Sequence, residues 1–180
     1  IGTRLVPQLI NAGHEVIGTF RSPAHAERVR ELGATAVALD LLDARAVRKA
    51  VLEAEPEAIV HQATSLTDVR FGRNLDRAFV ATNRLRREGT DALVAAAREA
   101  GVSRFVAQSF ASMRYARTGA AVKTEDDQLD QNPLEGMRET AAAMNYLDQA
   151  VTDAGGIALR DHCVEAQRRV YQIRPEPLRE

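Results

Sequence analysis

The order helix, glycine, short apolar run recurs along this chain, and it constrains the fold more than any single motif does. Leu5, Val6, Leu9 and Ile10 share one face of a 3.6-residue period, Gly13 follows, and residues 15–20 then have the length and composition of a buried strand. A second helical stretch, residues 23–32, ends at Gly33 before the apolar run 35–39. Asp43 is the expected N-cap of a helix over 44–55 that Pro56 closes, and residues 58–62 read as the next strand. Residues 74–100 form a long charged helical stretch closed by Gly101 before a strand over 104–108. The stretch 137–152 and the pair Gly155-Gly156 precede a last strand over 157–159. Strands separated by helices of this length pair in parallel, because only a crossover returns the chain to the same end of a sheet. The expectation is therefore an α/β fold, with a doubly wound parallel sheet covered by helices on both faces.

With 180 residues, 45% hydrophobic and 27% charged, the chain suits one domain over residues 1–160, with residues 161–180 as a tail and not a second domain. A formal net charge of −1 gives no electrostatic footprint for nucleic acid, and an aromatic content of 4% gives no stacking platform for bases. One cysteine, Cys163, forms no internal disulfide, and neither a membrane-spanning apolar run nor a signal-peptide pattern is present. A cytoplasmic protein with a small-molecule substrate, and no nucleic-acid or membrane partner, is the expectation.

Ligands of such sheets bind beyond the carboxyl ends of the strands, so the residues that finish each strand are the first candidates. Gly2 opens the first helix, whose free N–H groups and positive dipole end suit a phosphate. A complete phosphate-binding turn also needs a strand and a glycine-rich bend before that helix. About ten further residues are expected ahead of Ile1, since a central strand missing from between residues 15–20 and 58–62 leaves two inner strand edges facing a gap. About 20 residues after the glycine turn, where an acid would hold the ribose 2′-hydroxyl of NAD, stand Arg21 and Ser22. Both donate hydrogen bonds, which suits a 2′-phosphate and leans the cofactor toward NADP. Residues 109–133 read as a long polar loop at a strand end, a common place for function.

The motifs Gly13-His14-Glu15-Val16, Ala38-Leu39-Asp40-Leu41-Leu42-Asp43, Ile59-Val60-His61-Gln62-Ala63, Gly89-Thr90-Asp91-Ala92-Leu93-Val94 and Arg104-Phe105-Val106, in this order after Ile1-Gly2, resemble the NAD-dependent epimerase/dehydratase group of extended short-chain dehydrogenases. The resemblance runs from Ile1 to about Arg160 and implies a Rossmann-like sheet whose first strand and glycine-rich loop are incomplete here. It implies that NAD(P) binds with Gly2 as the last glycine of a Gly-x-x-Gly-x-x-Gly loop. Asp40 and Leu41 then lie against the adenine, Gln62, Ala63 and Thr64 against the ribose and pyrophosphate, and Asn83 toward the nicotinamide. It further implies hydride transfer on a small hydroxyl or carbonyl substrate by an oxidoreductase or epimerase. A substrate lobe is expected after the last strand, and homodimers through residues 74–100 and 137–152.

The group's Tyr-x-x-x-Lys belongs at the start of the helix after the long loop, where residues 137–141 carry neither residue. Tyr146 lies too far into that helix to stand in. The group's serine is Ser109 or Ser112, and Tyr115 and Lys123 are the residues of that loop able to serve as proton donor. Loss of the pair leaves a second reading open, a non-catalytic NADP-binding sensor or scaffold. No metal site is expected, since Glu125-Asp126-Asp127 reads as a solvated run. His61 reads as a buried, hydrogen-bonded histidine, the cluster Arg84, Arg86, Arg87 as a solvated helix face, and Asp161-His162-Cys163 as lacking the base a nucleophile needs.

Overall fold

The computed structural model describes residues 1–66, 69, 74–111, 114–119, 123–124 and 126–161. The elements alternate as the sequence pattern demands: α1 (Gly2–Asn11), β1 (Ile17–Phe20), a 3-10 turn (Pro23–His25), α2 (Ala26–Glu31), β2 (Thr35–Ala38), α3 (Ala44–Ala54), β3 (Ala58–His61), α4 (Leu75–Ala78), α5 (Val80–Arg84), a π-helical turn (Leu85–Gly89), α6 (Thr90–Glu99), β4 (Arg104–Phe110), α7 (Arg138–Asp153) and β5 (Ile157–Asp161). Local chemistry sets these boundaries. Asp43 caps α3 by accepting from the N–H groups of Arg45 and Ala46 at 3.0 and 3.1 Å, a cap whose removal costs about 1 kcal/mol. Gly13 and Gly33 follow α1 and α2 in the left-handed conformation, φ 89° and 88°, which a Cβ disfavours.

All strand pairings among the named strands are parallel. β1 pairs with β2 in the register Ile17 to Thr35, β3 pairs with β4 from Ala58 to Arg104, and β4 pairs with β5 from Val106 to Ile157. The strands fall into a β1-β2 group and a β3-β4-β5 group, and among the described residues no strand joins β1 to β3. Each of those two strands keeps an unpaired edge, and Ile17 and Val60 on them are 41% and 42% exposed.

One core holds the second group together. Val47 and Val51 of α3, Leu93 and Ala97 of α6, Phe105 and Ala107 of β4, and Leu147 and Val151 of α7 pack in it, with Leu39 and Leu41 reaching in from the end of β2. The sheet thus has α3 and α6 packed on each other and α7 packed on β4, which fixes the strand ends relative to α5 and α7.

Two differences from the sequence pattern bear on the site. The strand expected over 104–108 runs on to Phe110, so Ser109 is a strand residue and not the first residue of a loop. The single helical stretch expected over 74–100 is broken after α4 at Phe79, which packs with Leu75 and Met137 in a small second core, and again by the π-helical turn. A π turn takes more residues per revolution than an α turn, so it shifts which side chains of the following residues face inward.

Candidate active site

Ser109 stands near the carboxyl end of β4, 3% exposed, and its Oγ accepts a hydrogen bond from Arg114 Nη1 at 2.9 Å. Arg114, the third residue after Ala111, is itself 3% exposed and has three partners besides Ser109. Its Nη2 forms an ion pair with Asp148 Oδ2 at 2.9 Å and also donates to Asn145 Oδ1, both on α7, while Nη1 also donates to the Phe110 carbonyl at 3.4 Å. The strand end, the following segment and the middle of α7 are therefore joined through one guanidinium.

A second set of bonds joins α4 and α5 to the start of α7. Asn83 Nδ2 donates to Thr140 Oγ1 at 3.1 Å, and the Thr140 backbone N–H donates to Asp76 Oδ1 at 2.7 Å. Asn83 Oδ1 accepts from Arg86 Nη1 at 3.2 Å, within the π-helical turn. The segment leaving β3 is held by the Ser65 N–H, which donates to Thr82 Oγ1 at 3.0 Å, and this sets the course of Gln62, Ala63 and Thr64. An open depression of about 470 Å³ lies beside Asn83, lined also by Asn74, Asp76, Arg77, Val80 and Glu139.

Electrostatics at these strand ends are dominated by buried cations. Arg86 is buried, and its pKa is pushed down to about 10 by burial and by the neighbouring Arg114, with Asp148 acting against both. It remains a cation at neutral pH. His61, closing β3, is 3% exposed, and burial followed by the positive charge of Arg86 pushes its pKa down to about 4. It is neutral at pH 7. Neither of its ring nitrogens has a hydrogen-bond partner among the described residues, so the expectation of a hydrogen-bonded histidine is corrected: the ring is buried, and the charged group that acts on it, Arg86, offers only donors and spends its hydrogen bond on Asn83. The expectation of a solvated face for Arg84, Arg86 and Arg87 is corrected at Arg86 alone. Arg84 stays exposed and pairs with Glu88 at 2.8 Å.

The amino-acid pattern of the NAD(P)H-binding family matches residues 1–155. The chain belongs to that family. Among relatives of this NAD(P)H-binding chain, the 3-diazoavenalumate denitrifying reductase of a Streptomyces species is 40% identical over 159 residues, 82% of this chain and 51% of the reductase. Solved structures share the fold at lower identity. The UDP-Glc/GlcNAc 4-epimerase of Campylobacter jejuni superposes with a TM-score of 0.71 at 18% identity, over 88% of this chain and 49% of the epimerase. The UDP-glucose 4-epimerase of Thermus thermophilus, solved with NAD, gives 0.65 at 24% identity, over 88% of this chain and 50% of the epimerase. The chain thus spans about half the length of these relatives, and its α/β sheet is of the Rossmann-like kind that the motif order implied.

The residues present suit the family's dinucleotide. The first turn of α1 carries Gly2 and no acidic residue, which suits an anion at the positive end of that helix. Arg21 and Ser22 are exposed just past β1. Asp40 is exposed past β2, its Oδ1 accepting from the Leu42 N–H at 3.0 Å, whereas Leu41 is buried in the core. Gln62 and Ala63 are half-buried and Thr64 exposed past β3. Asn83 is buried between Thr140 and Arg86.

Of the chemical candidates, Ser109 lies in the buried polar cluster, while Tyr115 is half-buried in a short antiparallel bridge with Leu129 and makes no side-chain hydrogen bond among the described residues. Lys123 pairs with Asp127 at 3.7 Å. Ser112, Glu125, His162 and Cys163 lie outside the described residues. Among the described residues no group of His, Cys, Asp and Glu is placed to hold a metal, and no helix is long and apolar enough to cross a membrane. Tyr146 is committed elsewhere: its hydroxyl donates to both carboxylate oxygens of Asp91 at 2.7 and 2.9 Å, which raises its pKa. Sequence reasoning missed Arg86, Arg114, Asn145 and Asp148. The one available signal was a charged residue recurring on the apolar stripe of α7, where Asp148 lies between Leu147 and Val151.

Proposed function

We propose that the chain serves an NAD(P)H-dependent reduction of a small molecule at the carboxyl ends of β3 and β4, in the manner of a reductase and not of an epimerase. One observation carries the reading: the Ser109 hydroxyl accepts from Arg114, so its own proton is left to donate to a substrate oxygen at a strand end. When bound, NAD(P)H supplies the hydride. Gly2 and the start of α1 hold the pyrophosphate, Arg21 and Ser22 the 2′-phosphate of NADP, Asp40 and Leu41 the adenine, Gln62, Ala63 and Thr64 the ribose side, and Asn83 shapes the nicotinamide end. Ser109 orients the carbonyl, or Ser112 does if it is the residue that reaches it, and Tyr115 returns a proton to the reduced oxygen. The 40% identity to a named reductase supports reduction as the reaction class. A homodimer and a cytoplasmic location belong to the same reading, the first tested by sedimentation.

A second reading rests on residues 137–141, where neither tyrosine nor lysine stands: a protein that binds NADP without turnover. Mixing the protein with NADPH and a panel of aldehydes, ketones and 3-diazoavenalumate separates the two. Oxidation of NADPH by one member of the panel, reduced at least tenfold in Tyr115→Phe, supports the reductase. Saturable binding with no oxidation by any member sinks it and leaves the sensor.

A further inference from the structure

Two guanidinium groups, those of Arg86 and Arg114, are buried beside each other at the ends of β3 and β4, 8% and 3% exposed. They share one carboxylate, Asp148, which pairs with Arg114 at 2.9 Å. Among the described residues no carboxylate stands within ion-pair distance of Arg86, whose hydrogen bond goes to the neutral amide of Asn83. The acids of the elements packed around it are engaged elsewhere: Asp76 with the Thr140 N–H, Glu88 with Arg84, Asp91 with Tyr146, and Glu139 with Arg87 at 3.6 Å. With His61 neutral, the described residues of this cluster hold one positive charge more than they balance. A buried cation left unbalanced is costly, and apolar residues of similar volume give a more stable core, so a purely structural role is a poor account of Arg86.

The unused hydrogen-bonding groups of the same cluster point in one direction. Arg114 Nε and both ring nitrogens of His61 are buried without partners among the described residues. The π-helical turn that carries Arg86 is a rare geometry that recurs at functional sites. We propose that Arg86, backed by Arg114 and His61, is the recognition site for a carboxylate of the substrate, one guanidinium away from Ser109. A planar fork matches a carboxylate with two parallel hydrogen bonds, and a single unbalanced charge matches a monoanion better than a phosphate. The proposal rests on the reductase reading for the identity of the bound molecule as substrate, and on the buried arginines alone for its charge.

Calorimetric titration of the full chain with benzoate and cinnamate, their neutral amides and inorganic phosphate tests it, in the presence and absence of NADPH. Each acid is expected to bind at least tenfold tighter than its amide. Arg86→Met is expected to abolish that preference and Arg86→Lys to keep part of it, with NADPH affinity unchanged in both. Without ligand, Arg86→Met is expected to melt no lower than the wild type. Equal binding of acid and amide, or a preference that survives Arg86→Met, overturns the proposal. Tighter binding of phosphate than of benzoate, or competition between benzoate and NADPH, assigns the arginines to the cofactor and overturns it too. A lower melting temperature in Arg86→Met with no acid preference in the wild type makes Arg86 structural. Acid preference without NADPH binding leaves the carboxylate site standing and removes the reductase reading.

Discussion

Replacing Asp148 by asparagine isolates the buried ion pair that fixes the end of β4. The two side chains are 1% and 12% exposed and their charged atoms lie 2.9 Å apart, so water screens them little. At an effective dielectric of about 20 the attraction at that distance is about 6 kcal/mol, most of it offset by the loss of hydration. Removing one partner exposes the offset: breaking a buried pair costs about 3–5 kcal/mol. Asparagine keeps an acceptor for the guanidinium, and Ser109 and Asn145 still accept from it, which places Asp148→Asn near the low end, about 3–4 kcal/mol. For a chain of 180 residues this corresponds to a fall in Tm of about 6–16 °C. Equilibrium unfolding in urea followed by far-ultraviolet circular dichroism reads it as a shift in midpoint at constant slope. The double variant Arg114→Met with Asp148→Asn is expected to regain most of the loss, because an uncharged pair carries no desolvation penalty. A loss below about 1 kcal/mol for Asp148→Asn, the range of exposed pairs, refutes the reasoning, as does a double variant no more stable than the single one.

Three further outcomes follow from the same contacts. His61 has a folded pKa below its unfolded one, so the unfolded chain binds the extra proton and stability is lost as pH falls from about 6.5 to about 4; the loss is about 3 kcal/mol, and His61→Leu is expected to remove that slope from urea midpoints measured across the window. Gly156→Ala brings a Cβ to 2.6 Å from the Phe105 carbonyl oxygen and 2.9 Å from Val151 Cγ1, so a loss of more than about 2 kcal/mol is expected in the same assay, and a neutral result shows that the β4–β5 junction yields. Glu55 closes α3 at φ 42°, a left-handed conformation, and Glu55→Gly is expected to raise stability by about 0.5–1 kcal/mol, read as a rise in Tm.

The alternation of elements was legible because it rests on local rules: apolar spacing, the N-cap at Asp43, and the glycines after α1, α2 and α6. The ends of β1 and β3 were legible to within a residue for the same reason, with Arg21 and Gln62 just past them, whereas β4 runs two residues further than the apolar pattern and takes in Ser109. The buried polar cluster was not. Arg86 stands in a run with the charged residues Arg84, Arg87 and Glu88, which reads as a solvated face, and its burial depends on the π-helical turn and on α7, which lies more than 50 residues away. Arg114 sits in a polar stretch with no periodicity, and its partners Asn145 and Asp148 are meaningful only once α7 lies beside β4. Asn83 was named as a candidate through the family resemblance, and its link to Thr140 is a contact between distant segments that spacing cannot supply.

The central claim is that chemistry takes place around Ser109 at the end of β4. Single-turnover oxidation of bound NADPH by an accepted substrate, compared between the wild type and Ser109→Ala, tests it most directly. A rate at least about 100-fold lower in Ser109→Ala with NADPH affinity unchanged is expected, the scale of one hydrogen-bond donor lost from a developing oxyanion. A rate within twofold of the wild type contradicts it.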